Sequence, residues 1–161
     1  VTQDELKRRT KAFGLRVMTM TDSLPRNAKG RVLANQVLRS GTAVASGFRA
    51  ACRTRSRPDW VDKVGRILEE ADESALWIEL IHEGELLPAK RITPLLQEAN
   101  ELTAIFAAMH KTSKAAPKSE IRNPKSQFPH AVLKRDSTSD IRRSSSRPMT
   151  PMDRMHRMIR E

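Results

Sequence analysis

Glu79-Leu80-Ile81-His82 sets a carboxylate and an imidazole three residues apart, the spacing by which helical bundles hold iron or manganese on one helix face. A di-metal centre needs a second such pair and two further inward glutamates. Here His110 follows Ala107 where the second glutamate would stand, and the first two helical segments offer no inward Glu. Glu98 and Glu101 alone do not complete the set. His82-Glu83-Gly84-Glu85-Leu86 lacks the second histidine of a His-Glu-x-x-His zinc site. No glycine-rich phosphate loop follows a strand, and no Ser, His and Asp group into a nucleophilic set. The Glu79/His82 pair is expected to be exposed near a helix end, with no metal or cofactor, in a non-enzymatic chain.

Cys52 is the only cysteine, which excludes an internal disulfide and a cysteine zinc cluster. Beside Phe48 and Ala51 it reads as a small packing residue. The alternative is a reactive thiol whose pKa is lowered by Arg49, Arg53 and Arg55.

The charges say more. Residues 1–58 carry 13 Lys and Arg against 3 Asp and Glu. Residues 59–111 carry 5 against 11, and residues 112–161 carry 12 against 5, within a chain of net charge +11. Lys7, Arg8, Arg9, Lys11 and Arg16, then Arg26, Lys29 and Arg31, have few acids to pair with. Arg53, Arg55 and Arg57 crowd a later connection. Such one-sided excess suits either a solvated face or phosphate contact. With two Trp, four Phe and no Tyr there is little to stack on bases, so binding to RNA or DNA would be sequence-tolerant and salt-sensitive. The acidic run Glu69, Glu70, Asp72 and Glu73 spans a helix circumference. Its natural partners are Arg39 and Arg49, and a partly buried network of Arg39, Arg49, Glu70 and Glu73 would fix helix register.

Four helical segments must position these groups. Leu6, Phe13, Val17, Met20 and Leu24 recur at sevens, fours and threes, the stripe of an amphipathic helix. Leu24-Pro25-Arg26-Asn27 ends it and Asn27 caps the next, which follows Leu33, Val37, Gly41, Val44, Phe48 and Ala51. Ser56-Arg57-Pro58-Asp59 opens the third. Trp60, Val64, Ile67, Ala71, Ala75 and Ile78 form its stripe, widened by Leu68, Leu76 and Leu80, and Gly84 supplies a left-handed residue after its last turn. The fourth begins near Pro88 and follows Ile92, Leu95, Ala99, Leu102, Phe106 and Met109.

Short connections force antiparallel neighbours. The sequence therefore predicts an all-α, up-down-up-down antiparallel four-helix bundle over residues 1–111. A disordered basic C-terminal tail is expected over 112–161, where Pro/Ser-rich composition cannot offset its ordering entropy. Met149, Met152, Met155 and Met158 recur every third residue there, as in a short terminal amphipathic helix; the alternatives are a helix induced on a partner or membrane surface and a soft-metal thioether site. No apolar run approaches the ~20 residues of a membrane span. Val1-Thr2-Gln3-Asp4-Glu5 opens a charged helical stretch in place of a signal peptide's apolar core, so a cytoplasmic location and no membrane partner are expected.

The sequence resembles a known family at Arg39-Ser40-Gly41-Thr42, Ala45, Phe48-Arg49-Ala50-Ala51-Cys52-Arg53, Glu69-Glu70-Ala71-Asp72-Glu73-Ser74, Trp77 and Glu79-Leu80, with Glu98-Ala99-Asn100-Glu101-Leu102 in agreement. It is the family of bacterial four-helix-bundle proteins related to those encoded in intervening sequences of large-subunit ribosomal RNA genes. That family includes the accessory variability protein of diversity-generating retroelements. The resemblance covers roughly residues 10–111 and omits the tail. It implies an up-down bundle and, as in the retroelement accessory protein, a basic homopentamer that binds nucleic acid and a reverse transcriptase. The expected function is a non-enzymatic, oligomeric accessory protein binding RNA or DNA phosphates through Lys7, Arg8, Arg9, Lys11, Arg16, Arg26, Lys29, Arg31, Arg53 and Arg55. The alternative is a protein-interaction scaffold whose basic face docks an acidic protein.

Overall fold

The structure, a computed structural model, describes residues 1–115. Its elements are helices α1 (Gln3–Thr21), α2 (Ala28–Ala51), α3 (Arg57–Glu83) and α4 (Ala89–Ala115), the expected four-helix bundle. The terminal Met-rich segment lies outside the described residues. α4 runs past position 111 to Ala115. Ser113 is buried, continuing one turn beyond Met109 the stripe that begins at Ile92.

α1, α2 and α3 each start where a side chain accepts an otherwise orphaned backbone N–H. Thr2 and Glu5 form a capping box on α1: the Glu5 amide donates to Thr2 Oγ1 (3.2 Å) and the Thr2 amide to Glu5 Oε2 (2.6 Å). Asn27 caps α2, its Oδ1 accepting from the Gly30 amide at 2.9 Å. Ser56 caps α3 through the Asp59 amide, with Pro58 in the first turn.

The end of α3 departs from expectation. Gly84 is not left-handed, having φ −75°; the left-handed residue is Glu85, with φ 52°. The Glu85 amide donates to the His82 carbonyl and the Leu86 amide to the Ile81 carbonyl. That is the paired closure of a Schellman end, which requires its left-handed residue one place after the cap. The position is fixed by the length of α3, and Glu85 bears the cost of a conformation that glycine adopts freely.

The core is built from the predicted stripes: Phe13, Val17, Val37, Val44, Phe48, Trp60, Val64, Ile67, Ile78, Ile92, Leu102 and Phe106 are all buried. Leu76 and Leu80 do not widen the α3 stripe, being 47% and 41% exposed. Ile81 takes the inward place instead, three residues after Ile78. Glycines lie on the facing sides of α1 and α2. A β-carbon on Gly14 would stand 3.5 Å from the Gly41 carbonyl oxygen, and one on Gly41 would stand 3.0 Å from Val17 Cγ2. Nearer the N-terminus of α1 the surface between the two helices forms a groove.

Candidate nucleic-acid interface

The groove lies between the first turns of α1 and the last turns of α2. It is about 360 Å³ in volume and is lined by Lys7, Arg8 and Lys11 from α1 and by Arg49, Cys52 and Arg53 from α2. No carboxylate is among the described residues lining it. Lys7 reaches one acid outside the lining, Asp4 Oδ1 at 3.1 Å, but Asp4 is 84% exposed, so water screens that pair heavily.

The ten basic residues predicted to touch phosphate do not form one face. Lys7, Arg8, Lys11 and Arg53 converge on the groove. Arg55 is exposed in the adjoining connection between α2 and α3. Arg26, Lys29 and Arg31 are exposed at the opposite end, where α1 gives way to α2; Arg31 donates to the Arg26 carbonyl at 3.1 Å. At ~1.5 Å per helical residue, the length of α1 separates the two groups.

Arg9 and Arg16 correct the expectation that these cations lack acids. Both turn toward α4: Arg9 pairs with Glu98 (3.5 Å) and Glu101, and Arg16 pairs with Glu98. Seven residues apart, they share one face of α1 next to the core stripe, and Glu98, 12% exposed, stands between them. They join α1 to α4. The hydrogen bond from Arg9 holds the Glu101 carboxyl below the usual carboxylate range, with Gln97 contributing.

The acidic run divides in a similar way. Arg39 reaches Glu70 (3.5 Å) and Glu73 (2.5 Å); Arg39 and Glu73 are 53% and 44% exposed, while Glu70 is half-buried with its Oε2 out of solvent, so the network is partly buried on its Glu70 side only. The buried polar link at that level is a hydrogen bond from Ser74 to Ser40, 3.0 Å between fully buried hydroxyls. Arg49 does not join the acids. It lies ten residues further along α2, about 15 Å away, and lines the groove. Glu69 and Asp72 are exposed.

Burial pushes the Cys52 thiol above its ordinary pKa; Lys7 and a hydrogen bond from Gln3 oppose this without reversing it. This favours the small packing residue expected at Cys52 over the alternative of a thiol lowered by neighbouring arginines, and Cys52 packs half-buried against the core where it lines the groove. Glu79 is exposed and His82 half-buried near the end of α3. Among the described residues no cluster of three or more His, Cys, Asp and Glu is placed to hold a metal ion, and no helix is long and apolar enough to cross a membrane.

Sequence reasoning missed the tie between α3 and the end of α4. The Arg57 guanidinium donates to the Ser113 carbonyl (2.8 and 3.0 Å) and the Lys114 carbonyl (3.0 Å). Arg57 therefore caps α4 and is also unavailable to a ligand. The available signal was Ser113 itself, four residues after Met109 on the same stripe.

These helices and this groove define a small antiparallel bundle with a cationic cleft at one end. Residues 3–108 match the family described as 23S rRNA-intervening sequence protein, and the chain belongs to that family. A solved structure from Bacteroides thetaiotaomicron, described as a protein with unknown function from the S23 ribosomal protein family, is similar in fold. It has 27% sequence identity and a TM-score of 0.62, the match covering 66% of this chain and 99% of that one. No curated protein matches the chain.

Proposed function

We propose that this chain is a non-enzymatic accessory protein that binds nucleic-acid phosphates at the α1/α2 groove. The observation that carries the reading is the convergence of Lys7, Arg8, Lys11, Arg49 and Arg53 on one groove whose described lining holds no carboxylate. Cations gathered without acids repel one another, and an anionic ligand relieves that repulsion while releasing its own counterions. RNA is the first nucleic acid to test, because the family takes its name from ribosomal RNA. Arg9, Arg16 and Arg57 are excluded from the interface by their own partners.

Assembly into a homo-oligomer belongs to the same proposal. Leu15, Met18, Val32, Leu76 and Leu80 are large apolar side chains left 41–59% exposed on the outer faces of α1, α2 and α3. Several copies would present several grooves to one strand and multiply a weak contact.

The test is fluorescence anisotropy with a labelled RNA at about 50 and 200 mM salt, the interval over which phosphate-driven binding falls steeply. The wild-type chain is compared with a Lys11→Glu, Arg49→Glu, Arg53→Glu variant. Affinity is expected to fall with salt and to be lost in the variant while its helical circular dichroism is unchanged. Equal binding by variant and wild type would falsify the reading.

A further inference from the structure

We infer that the groove takes a single strand of nucleic acid, held by its backbone between two opposed rows of cations, and discriminates against a duplex. The inference rests on the phosphate-binding reading above and goes further by naming the form of ligand.

The rows follow from helix geometry. Lys7 and Lys11 are four residues apart on α1, and Arg49 and Arg53 are four apart on α2, each pair lining the same groove. Four residues are one turn, a rise of about 6 Å, so each wall presents two cations in line along its helix. A ligand that satisfies both walls must enter the groove and place negative charge along its length. A phosphodiester chain is a linear array of charges and meets that demand.

The walls set the width. Neighbouring packed helices stand about 8–10 Å apart between axes, and the contact at Gly14 and Gly41 closes the groove toward the middle of the bundle. A duplex holds two phosphate backbones apart on either side of its stacked base pairs, whereas a single strand presents one backbone. A duplex is therefore broader than the space between the two walls. It can lay one backbone on the rim and reach the outward cation Arg8, but it cannot bring its phosphates between the rows. A single strand can.

The lining also fixes what is not read. Among the described residues lining it, Cys52 is the one uncharged side chain. Phe13, Phe48, Phe106 and Trp60 are in the core, and Trp77 is on α3, so no aromatic among the described residues lines the groove. Bases gain no stacking platform, and contact is confined to phosphate and sugar. A single strand bound this way is held without regard to its sequence.

The experiment uses the full chain and fluorescence anisotropy with a labelled mixed-sequence 12-nucleotide RNA, free or annealed to its complement, across a salt series. Two double variants, Lys7→Gln/Lys11→Gln and Arg49→Gln/Arg53→Gln, each remove one row while leaving the apolar core untouched. The single strand is expected to bind at least tenfold more tightly than the duplex. Each double variant should reduce the salt slope for the single strand by about 1.4, following roughly 0.7 per phosphate contact. Each should also bring single-strand affinity down to that of the duplex. Inorganic tripolyphosphate, a short linear polyanion, should displace the strand from the wild-type chain.

Three outcomes overturn the inference in distinguishable ways. Equal affinity for duplex and single strand, with both weakened by the variants, would leave phosphate binding at this groove standing and remove the preference for one strand. A single-strand preference that survives both double variants would move the site away from the groove. No salt-dependent binding of either form would remove the phosphate-binding reading along with its extension.

Discussion

The indole N–H of Trp60 donates a 2.8 Å hydrogen bond to Oγ of Ser113, and both residues are buried. It joins the first turn of α3 to the last turns of α4, beside the bonds from Arg57 to the Ser113 and Lys114 carbonyls. The folded unit thus depends on residues past position 111. Ser113→Ala removes this acceptor and is expected to cost about 1 kcal/mol, several degrees in Tm for a domain of this size. Thermal unfolding of Ser113→Ala against Ser113→Thr, which keeps a hydroxyl, is the check; equal curves for the two would mean the bond contributes nothing.

Arg39 and Glu98 both join neighbouring helices by ion pairs, and their exposure separates their effects. Arg39 is 53% exposed beside Glu70 and Glu73, where a solvent-screened pair contributes about 0–1 kcal/mol. Glu98 is itself 12% exposed and meets both Arg9, 30% exposed, and Arg16, 50% exposed, so losing it removes the shared partner of two half-screened cations, a cost of about 1–2 kcal/mol. Urea unfolding should show Glu98→Ala clearly less stable than wild type and Arg39→Ala nearly unchanged. The reverse order would mean that the α2/α3 pair, and not the α1/α4 link, holds the bundle's register.

The stripes and two caps were legible in the sequence because they are local. Val37, Val44 and Phe48 reveal their inward face by spacing alone, and Asn27 and Ser56 mark helix starts within four residues of the amides they accept. The Thr2–Glu5 capping box was equally local, four consecutive residues in the pattern Thr-x-x-Glu. The division of the cations was not local. Lys7 and Lys11 face the groove while Arg9 and Arg16 face Glu98, a choice set by the rotation of α1 about its axis against partners some ninety residues away. Leu76 and Leu80 failed for a related reason: a helix with more apolar residues than its inward face can seat must leave some outside. Which remain is decided by packing against α2 and α4.

The Arg9 contact gives Glu101 a pH dependence with a definite sign. A carboxyl held below its ordinary pKa in the folded state contributes stability that is present above its unfolded value, about 4.3. That contribution is lost as pH falls through the lower folded value. NMR titration of the Glu101 side chain should therefore show a midpoint below the ordinary carboxylate range. Arg9→Gln should move the midpoint up, since Arg9 is the larger cause and Gln97 the smaller. A midpoint indifferent to Arg9→Gln would assign the lowering to Gln97 instead.

Gly14 and Gly41 face one another where α1 crosses α2, yet alanine is expected to act oppositely at the two. At Gly14 the new β-carbon would meet the Gly41 carbonyl oxygen at 3.5 Å and Thr42 Cα at 3.9 Å, ordinary contact distances. Gly14→Ala therefore keeps the crossing and gains helix propensity, up to about 1 kcal/mol. At Gly41 the β-carbon would stand 3.0 and 3.1 Å from the two γ-carbons of Val17, a fully buried side chain that would have to shift within the core. Overpacking of that kind costs about 1–3 kcal/mol, more than the propensity gained. Denaturant unfolding should rank Gly14→Ala at or above wild type and Gly41→Ala below it. The same substitution pries α1 from α2 at the head of the groove, so Gly41→Ala should also weaken RNA binding by spreading the two cation rows. A destabilised Gly41→Ala protein that binds RNA with wild-type affinity would show that the spacing of the rows is not what the ligand reads.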